Sequence, residues 1–293
     1  MKPARASFEA TALPRAFRLA LLALALCLAL AGTRHACAAE LPRVLAGTTL
    51  IEDIVADLGQ GRVSVRTLIP GSACPGHADL RASDVSFAGS ARAVLIHDWQ
   101  RDMPMLQALR RSAPETFARV RPVNAPGNWM LPERQAQATT ALAAMLAEID
   151  AAGAKDVQRR ARERQARIAA LAARVKARAA QGGIVGLRVI CDAMQKPFLE
   201  WLGCVVVADY GRFEGMNPRQ LAEVMSKAKA GKAVLVVDNM QSTGGSGKAL
   251  ADDLRAGHAV LTNFPGGDPR ADTWERAVEM NLDRLLAAMK ARG

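Results

Sequence analysis

The chain has 293 residues, half of them hydrophobic and only 4% aromatic, with 39 Lys and Arg set against 28 Asp and Glu for a net charge of +11. That length admits two compact domains. The basic excess would suit nucleic acid, but no aromatic side chain interleaves with the arginines of the most basic stretch, which argues against a nucleic-acid partner.

Residues 1–39 read as an export signal. Lys2, Arg5, Arg15 and Arg18 form a basic start, Leu19 to Leu30 is an apolar run, and Ala36, Cys37, Ala38 and Ala39 make a small-residue cleavage context. The run is shorter than the roughly 20 residues of a spanning helix. Lipid attachment at Cys37 is disfavoured, because Arg34 stands where the lipid-attachment box has Leu. Removing the segment leaves about 254 residues and a net charge of about +7, and implies an extracytoplasmic, periplasmic location. Three cysteines then remain, Cys74, Cys191 and Cys204, and an odd number excludes a complete disulfide framework.

Beyond the signal, short β-branched runs alternate with helical patterns. Strands are predicted over Val44 to Thr48, Val63 to Ile69, Ala93 to Ile96 and Val120 to Val123. Helices are predicted over Leu50 to Leu58, from about Ser83 with its hydroxyl as cap, and over Pro104 to Arg111. Such alternation predicts a parallel sheet with helices on both faces. From Pro132 to Ala180 no strand pattern occurs. A helix to Ile149 is followed by a break at Asp150 to Gly153 and a long helix over Ala154 to Ala180, ended by Gly182 and Gly183. Its Arg159, Arg160, Arg162, Arg164, Arg167, Arg174, Lys176 and Arg178 read as a solvated face.

Alternation then resumes. Strands are predicted over Leu187 to Ile190, Val205 to Ala208, Ala233 to Val237 and Ala259 to Leu261. Helices are predicted over Ala193 to Leu202, Pro218 to Ala230 with Asn217 as cap, Ser246 to Arg255, and Trp274 to Ala291. The expected architecture is α/β: two lobes, each a mainly parallel sheet flanked by helices, joined by one long rigid helix. The expected boundaries are 1–39 for the signal, 40–150 for the N-terminal lobe, 151–183 for the connecting helix and 184–293 for the C-terminal lobe.

Ligands of open parallel sheets sit beyond the carboxyl ends of the strands. Those positions carry Cys74 and His77 after the second strand, His97 after the third, Cys191 with Asp192 after the fifth, Asp238 with Asn239 after the seventh, and Asn263 near the end. Thiolate with imidazole suits zinc or copper(I), and Met194 and Met240 nearby would favour the softer ion. Other roles stay open: His97 closing its sheet, Cys74 paired with Cys191 as a disulfide, Asp192 and Asp238 as caps. Cys204 opens an apolar run and reads as core, and His258 as part of a surface turn.

Gly244 to Lys248 invites a phosphate-loop reading, but Ser242 stands where that loop needs glycine and Ala249 where it needs Ser or Thr. No G-x-S-x-G or His-Glu-x-x-His motif occurs. A thiol nucleophile with a histidine base is the enzyme alternative, and no spacing favours it; the chain is expected not to be an enzyme.

The segments Val44 to Gly71, Pro75 to Val85 and Asn217 to Val237, with Asn128, Trp129 and Pro132 before a long helix, resemble the metal-binding solute-binding proteins of ABC importers, the zinc and manganese type. The resemblance implies a metal cargo held between two lobes, a membrane permease as partner, and a monomer. It implies four ligand positions. His77 matches the first; Gly127 and Asn128 stand at the second, Cys191 at the third and Asn263 at the fourth. The expected site is therefore a rebuilt one of His77, Cys74, His97 and Cys191, with Asp192, Asp238, Asn263 and Asn128 as further ligands or supports. Zinc is the expected ion, with copper or manganese as others. The alternative is the same fold binding a metal chelate or a small anion.

Overall fold

In a computed structural model that describes residues 40–212, 215–242 and 246–291, the β-branched runs form eight strands in two all-parallel sheets. The expected signal at 1–39 and Gly244 and Gly245 of the glycine-rich turn lie outside the described residues. The first sheet contains β1 (Arg43–Thr48), β2 (Ser64–Ile69), β3 (Ala93–His97) and β4 (Val120–Val123) in the order β2-β1-β3-β4. The second contains β5 (Arg188–Asp192), β6 (Val205–Tyr210), β7 (Leu235–Asn239) and β8 (Gly257–Leu261) in the order β6-β5-β7-β8. The two lobes thus share one topology. In each, the strand order reverses beside the first strand, which is where such sheets open a crevice for ligand.

Strand periodicity distributes the core. Successive side chains point to opposite faces, so Val44 and Ala46 enter one hydrophobic cluster while Leu45, between them, enters another with Leu68, Val94 and Leu106. In β5, Val189 and Cys191 enter the same cluster as Val44 and Ala46, and Ile190 joins Val224 and Val236 on the other face. The larger cluster therefore runs unbroken through both lobes.

The connections are the helices α1 (Thr49–Gly59), α2 (Ala82–Ser90), α3 (Pro104–Ser112), α4 (Pro114–Phe117), α5 (Pro132–Ile149), α6 (Ala154–Gln181), α7 (Lys196–Leu202), α8 (Pro218–Ala230), α9 (Ser246–Leu254) and α10 (Trp274–Lys290). Pro104, Pro114, Pro132 and Pro218 open their helices, where a missing N–H costs nothing. Asn217 caps α8 as expected, accepting from Gln220 N at 2.9 Å. Ser83 does not cap α2: the helix begins one residue earlier, Asp84 accepts from Arg81 N at 3.1 Å, and the Ser83 hydroxyl accepts from Arg66. The break between α5 and α6 is a 3-10 turn over Ala151–Gly153, pinned by a forked bond from Arg62 to Asp150.

At 28 residues, α6 is roughly 40 Å long. Most of its basic residues are exposed, as a solvated face requires, but several also reach the neighbouring helices. Arg160, Arg164 and Arg167 recur at helical spacing along one stripe and meet α1: Arg160 donates to Leu58 O at 3.1 Å, and Arg164 donates to Asp53 at 2.5 Å and to Asp57 at 2.8 Å. Arg167 reaches Asp57 and, at 3.9 Å, Glu275 of α10; Arg174 and Arg178 pair with Glu279 and Asp283 further along α10. One helix thus grips an acidic stripe in each lobe. The exposed pairs contribute little. Arg164 differs, being 1% exposed. Burial raises the Asp53 carboxyl to about 6; Arg164 pulls it down, but Glu275 and Asp57 add like charge.

Removing the buried guanidinium while keeping apolar volume, as in Arg164→Met, leaves Asp53 without its partner and Asp57 with Arg167 alone, and should lower unfolding free energy by about 3–5 kcal/mol, read from urea denaturation. The pH dependence has a defined sign. Because the folded Asp53 binds its proton more tightly than the unfolded chain does, its contribution favours folding at low pH and is lost as pH rises through about 6. Stability measured between about pH 4 and pH 7 should therefore fall less steeply in Asp53→Asn than in the unaltered protein.

Candidate functional site

The crevice of the first lobe lies where β1 and β3 end side by side. Thr48 closes β1 and His97 closes β3, and the imidazole Nε2 lies 2.8 Å from the Thr48 hydroxyl. Gln100 braces the same corner, accepting from His97 N at 2.9 Å and donating to Gly47 O at 3.1 Å. The imidazole packs against Trp99 and Trp129, with centroids 5.2 and 4.1 Å away. Burial pushes its pKa down to about 3, so the ring is neutral at ordinary pH. His97 is thus buried at the end of its strand with Nε2 engaged by Thr48. Beside it is a cavity of about 250 Å³, lined by Trp99, Arg101 and the backbone from Pro122 to Gly127.

After β2 the chain turns through a 3-10 segment over Pro75–His77. That turn brings Cys74, half-buried, and His77, exposed, to the edge of the first lobe, as their three-residue spacing predicts. A third group joins them. Arg212, from the loop after β6 in the second lobe, sits with Nη1 3.3 Å from His77 Nδ1 and with Nη2 donating to Cys74 Sγ.

Asp192 ends β5 in the corresponding crevice of the second lobe. It is 4% exposed and accepts from Met194 N and from the Ser242 hydroxyl, each at 2.8 Å. Burial raises its pKa, against the pull of those two bonds. Asp238 lies near the end of β7. It accepts from the Tyr210 hydroxyl at 2.7 Å and from Gly247 N at 3.1 Å, and lies 2.8 Å from His258 Nε2. Burial alone would raise the Asp238 pKa, but the bonds from His258, Tyr210 and Gly247 outweigh it and hold it down. His258 is therefore no surface-turn residue: it lies within β8 and anchors Asp238.

Cys191 is also placed differently from the expectation. The strand runs past Ile190 to Asp192, so Cys191 is within it, fully buried on the Val189 face among Phe198, Leu235 and Val237. Burial, with Asp209 adding to it, raises its thiol pKa strongly. It faces core, not crevice. Cys74, Cys191 and Cys204 are all free thiols, so no disulfide joins Cys74 to Cys191; Cys204 is core, as its sequence context indicates.

Asn128 and Asn263 bind amides. Asn128 accepts from Met130 N and donates to Met194 O of the second lobe at 3.2 Å. Asn263 donates to Asn239 Oδ1 at 3.3 Å, and its N–H donates to Gln241, which in turn donates to Gly71 O of the first lobe at 2.7 Å. The lobes also touch where Thr49 donates to Pro265 O at 2.8 Å and Trp274 to Trp129 O at 2.9 Å. Gly71 is required at this contact: a Cβ there would lie 2.1 Å from Pro265 O. Among the described residues no three His, Cys, Asp or Glu side chains form a metal cage, and no helix is long and apolar enough to cross a membrane.

Two lobes with their strand ends face to face across a long helix are the setting for the comparison that decides the family. Residues 44–288 match the family model of the periplasmic zinc-uptake complex component A. The chain belongs to that family. The fold is also similar to the manganese-bound periplasmic metal binding protein of Candidatus Liberibacter asiaticus, at 16% identity over 85% of this chain and 99% of that one, with TM-score 0.68. The cadmium-bound form of that protein gives a TM-score of 0.67 at the same identity and coverage. The SBP FpvC of P. aeruginosa, in complex with a nickel ion, is similar at 20% identity over 87% of this chain and 98% of that one, with TM-score 0.72. These identities bear on the fold alone. No curated protein matches the sequence.

Cys74 and His77 both meet Arg212, whereas His97 is held by Thr48 and Cys191 lies in the core. Arg212 is the residue that sequence reasoning missed. Its signal was available, since it follows a strand end as the other candidates do, but β6 runs two residues beyond its predicted limit at Ala208 and places that end at Tyr210.

Thiol reactivity tests these placements. Of the three cysteines beyond residue 40, a thiol reagent should modify Cys74 alone in the folded protein. Cys191 and Cys204 should react only on unfolding, as followed by mass spectrometry of partly labelled samples.

Proposed function

We propose that this protein is the exported, extracytoplasmic binding component of an ABC importer, capturing a transition-metal ion between its lobes and handing it to a membrane permease. The observation that carries this reading is the Cys74–His77 turn: two donors on one loop at the lobe boundary, in a member of a metal-uptake family. Thiolate with imidazole suits zinc or copper(I) better than manganese. Asp192, Asn128 and Asn263 line the boundary as supports, while His97 and Cys191 hold the surrounding strands in place. Residues 1–39 serve as the export signal. The grip of α6 on both lobes supports a cleft that loads with small movements.

A second reading has its own support. Arg212 places a cation on the Cys74–His77 pair, and a cation there favours a cargo carried as an anionic metal chelate.

Elemental analysis of protein purified under reducing, chelator-free conditions, with zinc, copper(I), manganese and nickel in competition, tests the first reading. One equivalent of metal is expected, lost in Cys74→Ser and in His77→Ala and kept in Cys191→Ala. Uptake unchanged in the first two variants would place the site elsewhere, and no uptake by either the unaltered protein or Arg212→Ala would favour the chelate.

A further inference from the structure

We infer that Arg212 is a built-in competitor for the cargo: in the unloaded protein its guanidinium holds the lone pairs of Cys74 and His77 that a metal ion would take. This rests on the bare-ion reading above.

The chemistry of the contact carries the inference. A guanidinium has donors only, so its approach to His77 Nδ1 at 3.3 Å and its bond to Cys74 Sγ engage both atoms as acceptors. A metal ion binds through those same lone pairs on unprotonated nitrogen and sulfur. Guanidinium and metal therefore exclude one another at these atoms, and their like charges oppose joint occupancy nearby. The backbone leaves room for the arrangement. At Gly76, between the two donors, a Cβ would lie 3.8 Å from both Arg212 Nη2 and Cys74 Sγ.

The contact also joins the lobes, because Arg212 follows β6 and its partners follow β2. Displacing it breaks one tie across the boundary. The bonds from Gln241 to Gly71, Thr49 to Pro265 and Asn128 to Met194 do not involve these atoms and remain. Loading is then a side-chain exchange at one edge of a closed pair of lobes. On release the guanidinium returns to the donors, which lowers metal affinity without a wide opening of the cleft.

Zinc affinity, measured by competition with a chromophoric chelator under reducing conditions, tests this. Arg212→Ala should tighten zinc binding roughly tenfold or more, on the scale of one neighbouring unit charge. Arg212→Lys, which keeps the charge but not the fork, should fall between Arg212→Ala and the unaltered protein. The gain should vanish when Cys74→Ser is added, which a merely structural effect of residue 212 would not produce. Affinity unchanged or weakened in Arg212→Ala, with Cys74-dependent uptake intact in the unaltered protein, overturns the inference and leaves the metal site standing. Uptake seen only in Arg212→Ala supports it in its strongest form. Absence of Cys74- and His77-dependent uptake from both proteins removes the metal site and the inference together.

Discussion

The arrangement of this molecule depends on a guanidinium buried between two helices. Arg164 projects from α6 into α1 and meets Asp53 and Asp57 almost out of water, a position in which a charge is tolerated only when paired. The pairing sets the rotation of α6 about its own axis. Once that is set, the residues about one to four turns further along, from Arg167 to Arg178, face α10 of the second lobe. The strand ends of the two sheets are then held opposite one another, and the loops that follow them have no course except across the boundary.

That boundary is built from amides, a hydroxyl, an indole, backbone carbonyls and one arginine, in a family of metal-uptake proteins. Asn128, Gln241 and Asn263 supply directional bonds without charge, and such bonds fix register between two surfaces better than they fix an ion. The proposed ligating chemistry is concentrated on one edge, at Cys74 and His77. The imidazole that lies deeper, His97, is neutral and held between indoles, where it gives the β3 terminus a rigid wall. On the proposed reading, chemistry and alignment fall to different residues.

Local patterns in the sequence carried most of the fold. Alternating runs announced β1 to β8, proline and glycine marked the ends of α5 and α6, and the gap in strand pattern between Pro132 and Ala180 separated the lobes. The site was less legible, for physical reasons that differ by residue. Cys191 depends on whether β5 ends at Ile190 or two residues later, a boundary that periodicity does not resolve, and those two residues turn a cleft ligand into a core thiol. His258 depends on its pairing with Asp238, across a strand boundary. The α6 arginines look solvated because their acidic partners lie more than a hundred positions away in sequence for Asp53, Asp57, Glu279 and Asp283. The Cys74–His77 pair was legible because both residues belong to one turn. Arg212, its third member, arrives from the other lobe.

The shared hydrophobic cluster changes what the word lobe means here. Val44 and Ala46 of the first sheet and Val189 and Cys191 of the second border one interior, filled from α5, α6 and α10. Two such halves are not independent parts joined by a strut, because their interiors meet in one continuous cluster. Cut from its neighbour, either would expose the apolar residues through which that cluster continues into the other. Their common topology describes a repeated plan, and the continuous interior makes the pair a single object that must be assembled whole.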